Sequence, residues 1–188
     1  MIRVPVFFLN VVLDRHKSED FEQLAMPLFA ALYNLAHWLT RDRGEAEDLV
    51  QETYAKALKG FGSFQSGTNF RAWIYRILRN TFLTSRAGLK TSVPVEEEED
   101  SQSYTPVTTQ TPESLLLARA DYEAIEHALA QLPTQHREII LLCDVEEMSY
   151  REISEALTIP LGTVMSRLSR ARKAMRQLLQ KTLTGAKS

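Results

Sequence analysis

Two clusters of arginine carry what chemistry the chain offers. The first, NFRAWIYRILRN over residues 69–80, interleaves Arg71, Arg76 and Arg79 with Phe70, Trp73 and Tyr75. Aromatic rings stack on unpaired bases while guanidinium groups meet phosphate, so such a stretch suits a single nucleic-acid strand. Taken singly, most of these rings belong in a core, Trp73 foremost. The second cluster lies in SYREISEALTIPLGTVMSRLSRARKAM, residues 149–175. No acidic residue follows Glu155, whereas Arg167, Arg170, Arg172, Lys173, Arg176, Lys181 and Lys187 do. A surface of that sign attracts phosphates whatever the base sequence.

Nothing in the chain suggests covalent chemistry. His16, His37, His127 and His136 show no paired spacing, and no Gly-rich phosphate loop appears. Cys143, the only cysteine, sits in the apolar run IILLC and reads as core; a single thiol cannot form an intrachain disulfide, which suits a reducing cytoplasm. The run Glu96–Asp100 lacks turn residues to shape a metal cage and reads as a solvated linker. The expectation is a binding protein, not an enzyme, with no metal and no cofactor.

The elements that must hold the arginines follow from periodicity. Ser149 and Glu152 have capping-box spacing, so a helix starts there, with Ile153 and Leu157 inward. Thr158–Pro160 breaks it, and Pro160 suits the first turn of the next helix. There Val164, Leu168, Ala171, Met175 and Leu178 fall on one stripe, leaving Arg167, Arg170, Lys173 and Arg176 outside it. Two helices joined by a tight turn, the second rich in arginine, form a helix-turn-helix pattern. Upstream, Asn69 caps a helix whose buried stripe is Phe70, Trp73, Ile74, Ile77 and Thr81, with Arg71, Tyr75, Arg76, Arg79 and Asn80 on other faces. Before it come a helix led by Pro27 with Leu28, Leu32, Leu35 and Leu39, a turn at residues 42–44, and a helix over 45–59. That last helix turns Ala46, Leu49, Val50, Thr53 and Ala57 inward and Glu47, Asp48, Gln51 and Glu52 outward. The loop 60–68 displays Phe61 and Phe64. Thr111 and Pro112 open a further helix that ends at Pro133, and Thr134 begins another. No segment alternates as a strand would.

Charge divides the chain of 188 residues. Residues 1–90 carry net +3, residues 91–124 carry −7, and residues 125–188 carry +2, within a total of −2. Acidic and Ser/Thr/Pro-rich sequence between two mildly basic lobes predicts a flexible linker. The expected architecture is all-α: an N-terminal extension (1–20), a helical domain (21–88), a flexible acidic linker (89–111) and a helix-turn-helix domain (112–184). No apolar run approaches the ~20 residues that a membrane span needs, so no membrane insertion is expected.

Three motifs in this order resemble the extracytoplasmic-function (ECF) type of bacterial RNA polymerase sigma factor. They are RGEAEDLVQETYAKAL (43–58), NFRAWIYRILRNT (69–81) and LPTQHREIILLCDVEEMSYREISEALTIPLGTVMSRLSRAR (132–172). The resemblance implies that Asp48, Leu49, Gln51 and Glu52 dock on the clamp helices of the largest subunit of core RNA polymerase. It implies that Phe64, Arg71, Trp73, Arg76 and Asn80 handle the −10 element, with a flipped base held by the loop around Phe64. It also implies that Thr163, Met165, Ser166, Arg167, Ser169 and Arg170 read the −35 element in the major groove of promoter DNA, where a bidentate Arg on guanine supplies about 1–3 kcal/mol of discrimination. An anti-sigma factor is the further partner implied. Thr158 stands where such turns often have Gly, and Met165 where relatives often have a cation. Two other readings compete: a dimeric helix-turn-helix regulator acting without polymerase, and a sigma-like decoy that sequesters an anti-sigma factor. The first leaves residues 43–58 unexplained; the second does not need Arg167 and Arg170.

Overall fold

The computed structural model describes residues 15–65, 67–89 and 112–185; the expectations for the first 14 residues, for Thr111 and for the acidic run of the linker fall outside the described residues. The fold is all-α, with no strand among the described residues. The first domain holds α1 (Arg15–Ala25), α2 (Phe29–Thr40), α3 (Arg43–Gly60) and α4 (Phe70–Leu89). The second holds α5 (Pro112–Gln131), α6 (Thr134–Ile140), α7 (Tyr150–Leu157) and α8 (Leu161–Gly185).

Local sequence accounts for most helix ends. Asp42 caps α3, accepting from the Glu45 N–H at 2.7 Å. Asn69 caps α4, its Oδ1 accepting from the Ala72 N–H at 3.0 Å. At α7 the full capping box forms: the Glu152 N–H donates to Ser149 Oγ at 3.3 Å and the Ser149 N–H to Glu152 Oε2 at 2.8 Å. Pro27 lies in a 3-10 turn, Met26–Leu28, one residue before α2 instead of opening it. A π-turn, Leu141–Val145, continues α6.

The core is one contiguous apolar cluster drawn from both domains. In the first domain α2 lies on α3 and α3 on α4, burying Leu32, Leu35, Leu39, Ala46, Val50, Ile74 and Leu78. In the second, α8 lays Val164, Leu168 and Ala171 against α5, α6 and α7. The stripe expected for α8 is therefore the stripe observed, with Met175 and Leu178 half-buried.

The domains also pack on each other, α4 against α7 and α2 against α6. This corrects one reading of α4. Tyr75, expected off the buried stripe, is 1% exposed, because α4 is covered on two sides. The expected open aromatics of the loop are not open either. Phe61 and Phe64 are half-buried and stack on one another at 5.9 Å, and both meet the edge of Phe70, at 6.1 and 5.3 Å.

Candidate nucleic-acid interface

The side chains expected to handle a single strand converge on the N-terminal half of α4. Trp73 is half-buried, 5.2 Å from Phe64 and 5.5 Å from Phe70, so the loop rests on it. Phe64, Asn69, Trp73 and the exposed Arg76 line a cleft of about 620 Å³. Its opposite wall is the turn between α7 and α8: Ser154, Glu155, Thr158, Ile159 and Pro160. Aromatic faces and a guanidinium in one cleft are groups able to stack on bases and to contact a phosphate, while the Asn69 amide is engaged by the Ala72 N–H and by Glu152. Asn80 lies on the exposed side of α4, one turn beyond Arg76, and does not line this cleft.

Arg71 does not face the cleft. Its Nη2 donates to the Glu146 carbonyl oxygen and lies 3.3 Å from Glu146 Oε2, and its guanidinium sits 5.8 Å over the Tyr75 ring. Tyr75 donates its O–H to the same Oε2 at 2.7 Å. Burial, and then this carboxylate, push the Tyr75 phenol far above its ordinary pKa, which keeps it a neutral donor. Asn69 reaches across as well, its Nδ2 donating to Glu152 Oε1 at 2.9 Å. That bond is the largest cause of the lowered Glu152 pKa. Arg79 forms an ion pair with Glu138 at 2.8 Å. Burial raises the Glu138 pKa, and Arg79 and then Arg167 oppose the shift.

These partners went unnoticed in the sequence because each pair joins residues far apart along the chain. Arg137 combines near partners with one distant one. Its buried guanidinium donates to Leu129 O and Ala130 O at 2.9 Å, to Leu132 O at 3.2 Å, and across the domains to Trp38 O at 2.9 Å. It donates to carbonyls at the ends of α5 and α2, where helix-end oxygens run short of backbone donors.

The helix-turn-helix forms as expected. Thr158 adopts the left-handed conformation, φ 54°, that Gly would take without cost. Its neighbours brace the turn: Ser154 Oγ donates to Ile159 O at 2.6 Å. Along α8, Met165, Ser166, Ser169 and Arg170 are exposed and Thr163 is half-buried. Arg170 folds back, its Nε donating to Ser166 O at 3.2 Å. Arg172 is held off this face by Asp144, which raises its pKa. Arg167 departs from the expected outward row. It is half-buried, with Nη1 enclosed and unpartnered, and its charge bears on Glu138. Its position beside the stripe residues Val164 and Leu168 turns it inward in this arrangement.

On α3 the outward row divides. Asp48 and Gln51 are exposed, and Glu52 is exposed but paired with Lys56 at 2.7 Å. Leu49 is 6% exposed and belongs to the core, so it offers a partner no side-chain surface; its part is to hold α3 in place. Among the described residues no group of three or more His, Cys, Asp or Glu gathers to hold a metal ion. Also among them, no helix is long and apolar enough to cross a membrane.

An all-α pair of domains, one with an aromatic and arginine cleft and the other with a basic helix-turn-helix, is the pattern expected of a nucleic-acid-binding protein. Comparison with known proteins narrows it. Residues 24–90 match the family Sigma-70 region 2, and residues 122–175 match Sigma-70, region 4. The chain is 33% identical over 170 residues to the ECF RNA polymerase sigma factor SigE of Mycolicibacterium smegmatis, covering 89% of this chain and 65% of that relative's length. It is 30% identical to the RNA polymerase sigma factor YlaC of Bacillus subtilis, covering 87% and 94% of the two chains. Among solved structures it is similar to the sigma factor RpoE of Bartonella quintana in complex with the anti-sigma factor NepR. The TM-score is 0.69 at 31% identity, over 86% of this chain and 98% of that one. It is also similar to CnrH in complex with the cytosolic domain of CnrY, with a TM-score of 0.62 at 25% identity, over 87% and 90% of the chains. The chain belongs to the ECF-type sigma factors of the sigma-70 family.

Proposed function

We propose that this chain directs core RNA polymerase to a defined set of promoters and helps open them. Support comes above all from one juxtaposition: a cleft whose first-domain wall carries Phe64, Asn69, Trp73 and Arg76, and the exposed Ser166, Ser169 and Arg170 of α8 in the second domain. The cleft takes the unpaired non-template strand of the −10 element. Unpairing a base costs a few kcal/mol, so a site that rewards one flipped base converts that cost into selectivity. Ser166, Ser169 and Arg170 read the −35 element, with Met165 on the same exposed face. The linker that joins the domains sets the reach between the two contacts and raises the effective concentration of the second. Asp48 and Gln51, with Glu52, dock on the clamp helices of the polymerase, and the polymerase performs the chemistry.

An anti-sigma factor restrains the chain. That two solved relatives are similar to it while each is bound to a second protein, in one case a named anti-sigma factor, supports this part. Run-off transcription with core polymerase on genomic fragments tests the whole reading. Discrete transcripts that depend on the chain are expected, and Asp48→Ala with Gln51→Ala should abolish them. DNA binding without polymerase and with no transcript would favour the stand-alone regulator. Neither DNA binding nor transcript, with tight capture of an anti-sigma factor, would favour the decoy.

A further inference from the structure

Two large apolar side chains stand open to solvent at one end of the basic helix. Leu161 is 49% exposed and Met165 54% exposed, and they lie one turn apart at the start of α8. Neither belongs to the core cluster, which takes Val164, Leu168 and Ala171 from this helix at no more than 2% exposure. Gly162 adds no side chain that would cover them. A lone exposed apolar residue is ordinary. These two instead begin a row that continues, at intervals of four, with the exposed Ser169 and Lys173. Along that row the chemistry passes from apolar, through hydroxyl, to cationic.

We propose that Met165, backed by Leu161, selects thymine by contact with its methyl group in the major groove of the −35 element. The inference rests on the reading of α8 as the helix that holds duplex DNA, and gives that contact its base. Cations and hydroxyls find partners all along a duplex, in phosphate oxygens and in the polar edges of base pairs. An apolar side chain finds only one. The C5-methyl of thymine is the apolar group that base pairs present in the major groove. Cytosine offers an amino donor there instead, and an apolar side chain would strip its water without replacing the hydrogen bond. Charge favours DNA over an apolar protein groove as the occupant: Arg170, Lys173 and Arg176 flank the pair, all exposed, and α8 carries no carboxylate. Methionine suits such a contact, because its unbranched thioether adapts to the shape of its partner. The cations then supply the salt-dependent grip, since a methyl contact releases no counterion.

Two versions of a fragment that yields a chain-dependent transcript test this. One carries deoxyuridine in place of every thymine within the upstream footprint, on both strands; deoxyuridine keeps the pairing and lacks only the methyl. The two compete for the full chain bound to core polymerase. The thymine version is expected to win by about fourfold for each methyl contacted, the worth of one buried carbon. Met165→Ala together with Leu161→Ala should remove that preference, while Met165→Leu should keep it. Both side chains are exposed, so the fold does not depend on them. Equal binding of the two versions by the unaltered chain, or a footprint with no thymine on either strand, overturns the inference and leaves the transcription reading, judged by run-off, intact. A thymine preference that survives in the double variant overturns it too. Equal binding by the unaltered chain, with weaker transcription from both versions in the double variant, would assign the pair to a protein partner instead. If no genomic fragment gives a chain-dependent transcript, the transcription reading falls and this inference falls with it.

Discussion

Helices α4 and α8 are both arginine-rich and both follow a well-formed turn, yet they end in opposite states. On α4, Arg71 and Arg79 are bound to carboxylates and only Arg76 among its first three arginines is exposed. On α8, Arg170, Lys173 and Arg176 are exposed, and Arg167 alone is drawn inward. The difference lies in what covers each helix. α4 is flanked by its own domain on one side and by α7 on the other, whereas α8 packs along one stripe and leaves its remaining surface open. Similar sequence composition thus gives an occupied surface in one place and an available one in the other. For α4 the outcome is decided by residues more than 50 positions away.

The contrast is best broken at its joint. Arg137→Ala removes a buried guanidinium that serves carbonyls of α5 and α2, and takes one donor from each of those oxygens. A loss of about 3 kcal/mol in chemical denaturation is expected, together with freer domains. A loss below ~1 kcal/mol would mean that the joint does not depend on it. Tyr75→Phe removes one donor from Glu146 while preserving the ring. It should cost about 1–2 kcal/mol by denaturation, and unchanged stability would remove Tyr75 from the joint. On the α8 side, Thr158→Gly relieves a left-handed residue and should raise the melting temperature, by a gain of up to about 1 kcal/mol, without altering the separation of the domains.

The smallest effect expected is on pH dependence, where two carboxylates of the joint oppose each other. Glu152 has a lowered pKa, because Asn69 donates to it. Its contribution to stability is present above the ordinary carboxylate pKa and is lost as pH falls through its lowered folded value. Glu138 has a raised pKa from burial. Its contribution is present at low pH and is lost as pH rises through its raised folded value. Melting temperature measured against pH should therefore fall less steeply toward acid in Glu152→Gln and more steeply in Glu138→Gln. Identical slopes in both would contradict this assignment.

Much of the fold could be read from local patterns. The capping box at Ser149, the cap at Asn69, and the stripe from Val164 to Leu178 are each set by residues within a few positions of one another. The strained turn residue Thr158 was visible for the same reason. What sequence periodicity missed was the second burial of α4. One stripe describes a helix buried on one side; α4 is buried on two, so the stripe puts Tyr75 on a face that the fold covers. The partners of Arg71, Arg79 and Asn69 lie 59 to 83 residues away, with no local signature. Leu49 shows the converse: the resemblance places it at a polymerase contact, whereas its side chain is 6% exposed and lies in the core.

The central claim is that one chain opens a promoter through α4 while holding it through α8. Permanganate reactivity of unpaired thymines, on a fragment that yields a chain-dependent transcript, tests this most directly. With core polymerase and the unaltered chain, a patch of reactive thymines is expected near the start site. With Phe64→Ala and Trp73→Ala together, the patch should vanish while the upstream footprint, which depends on Arg170, remains. Reactive thymines that persist unchanged in the double variant would contradict the account.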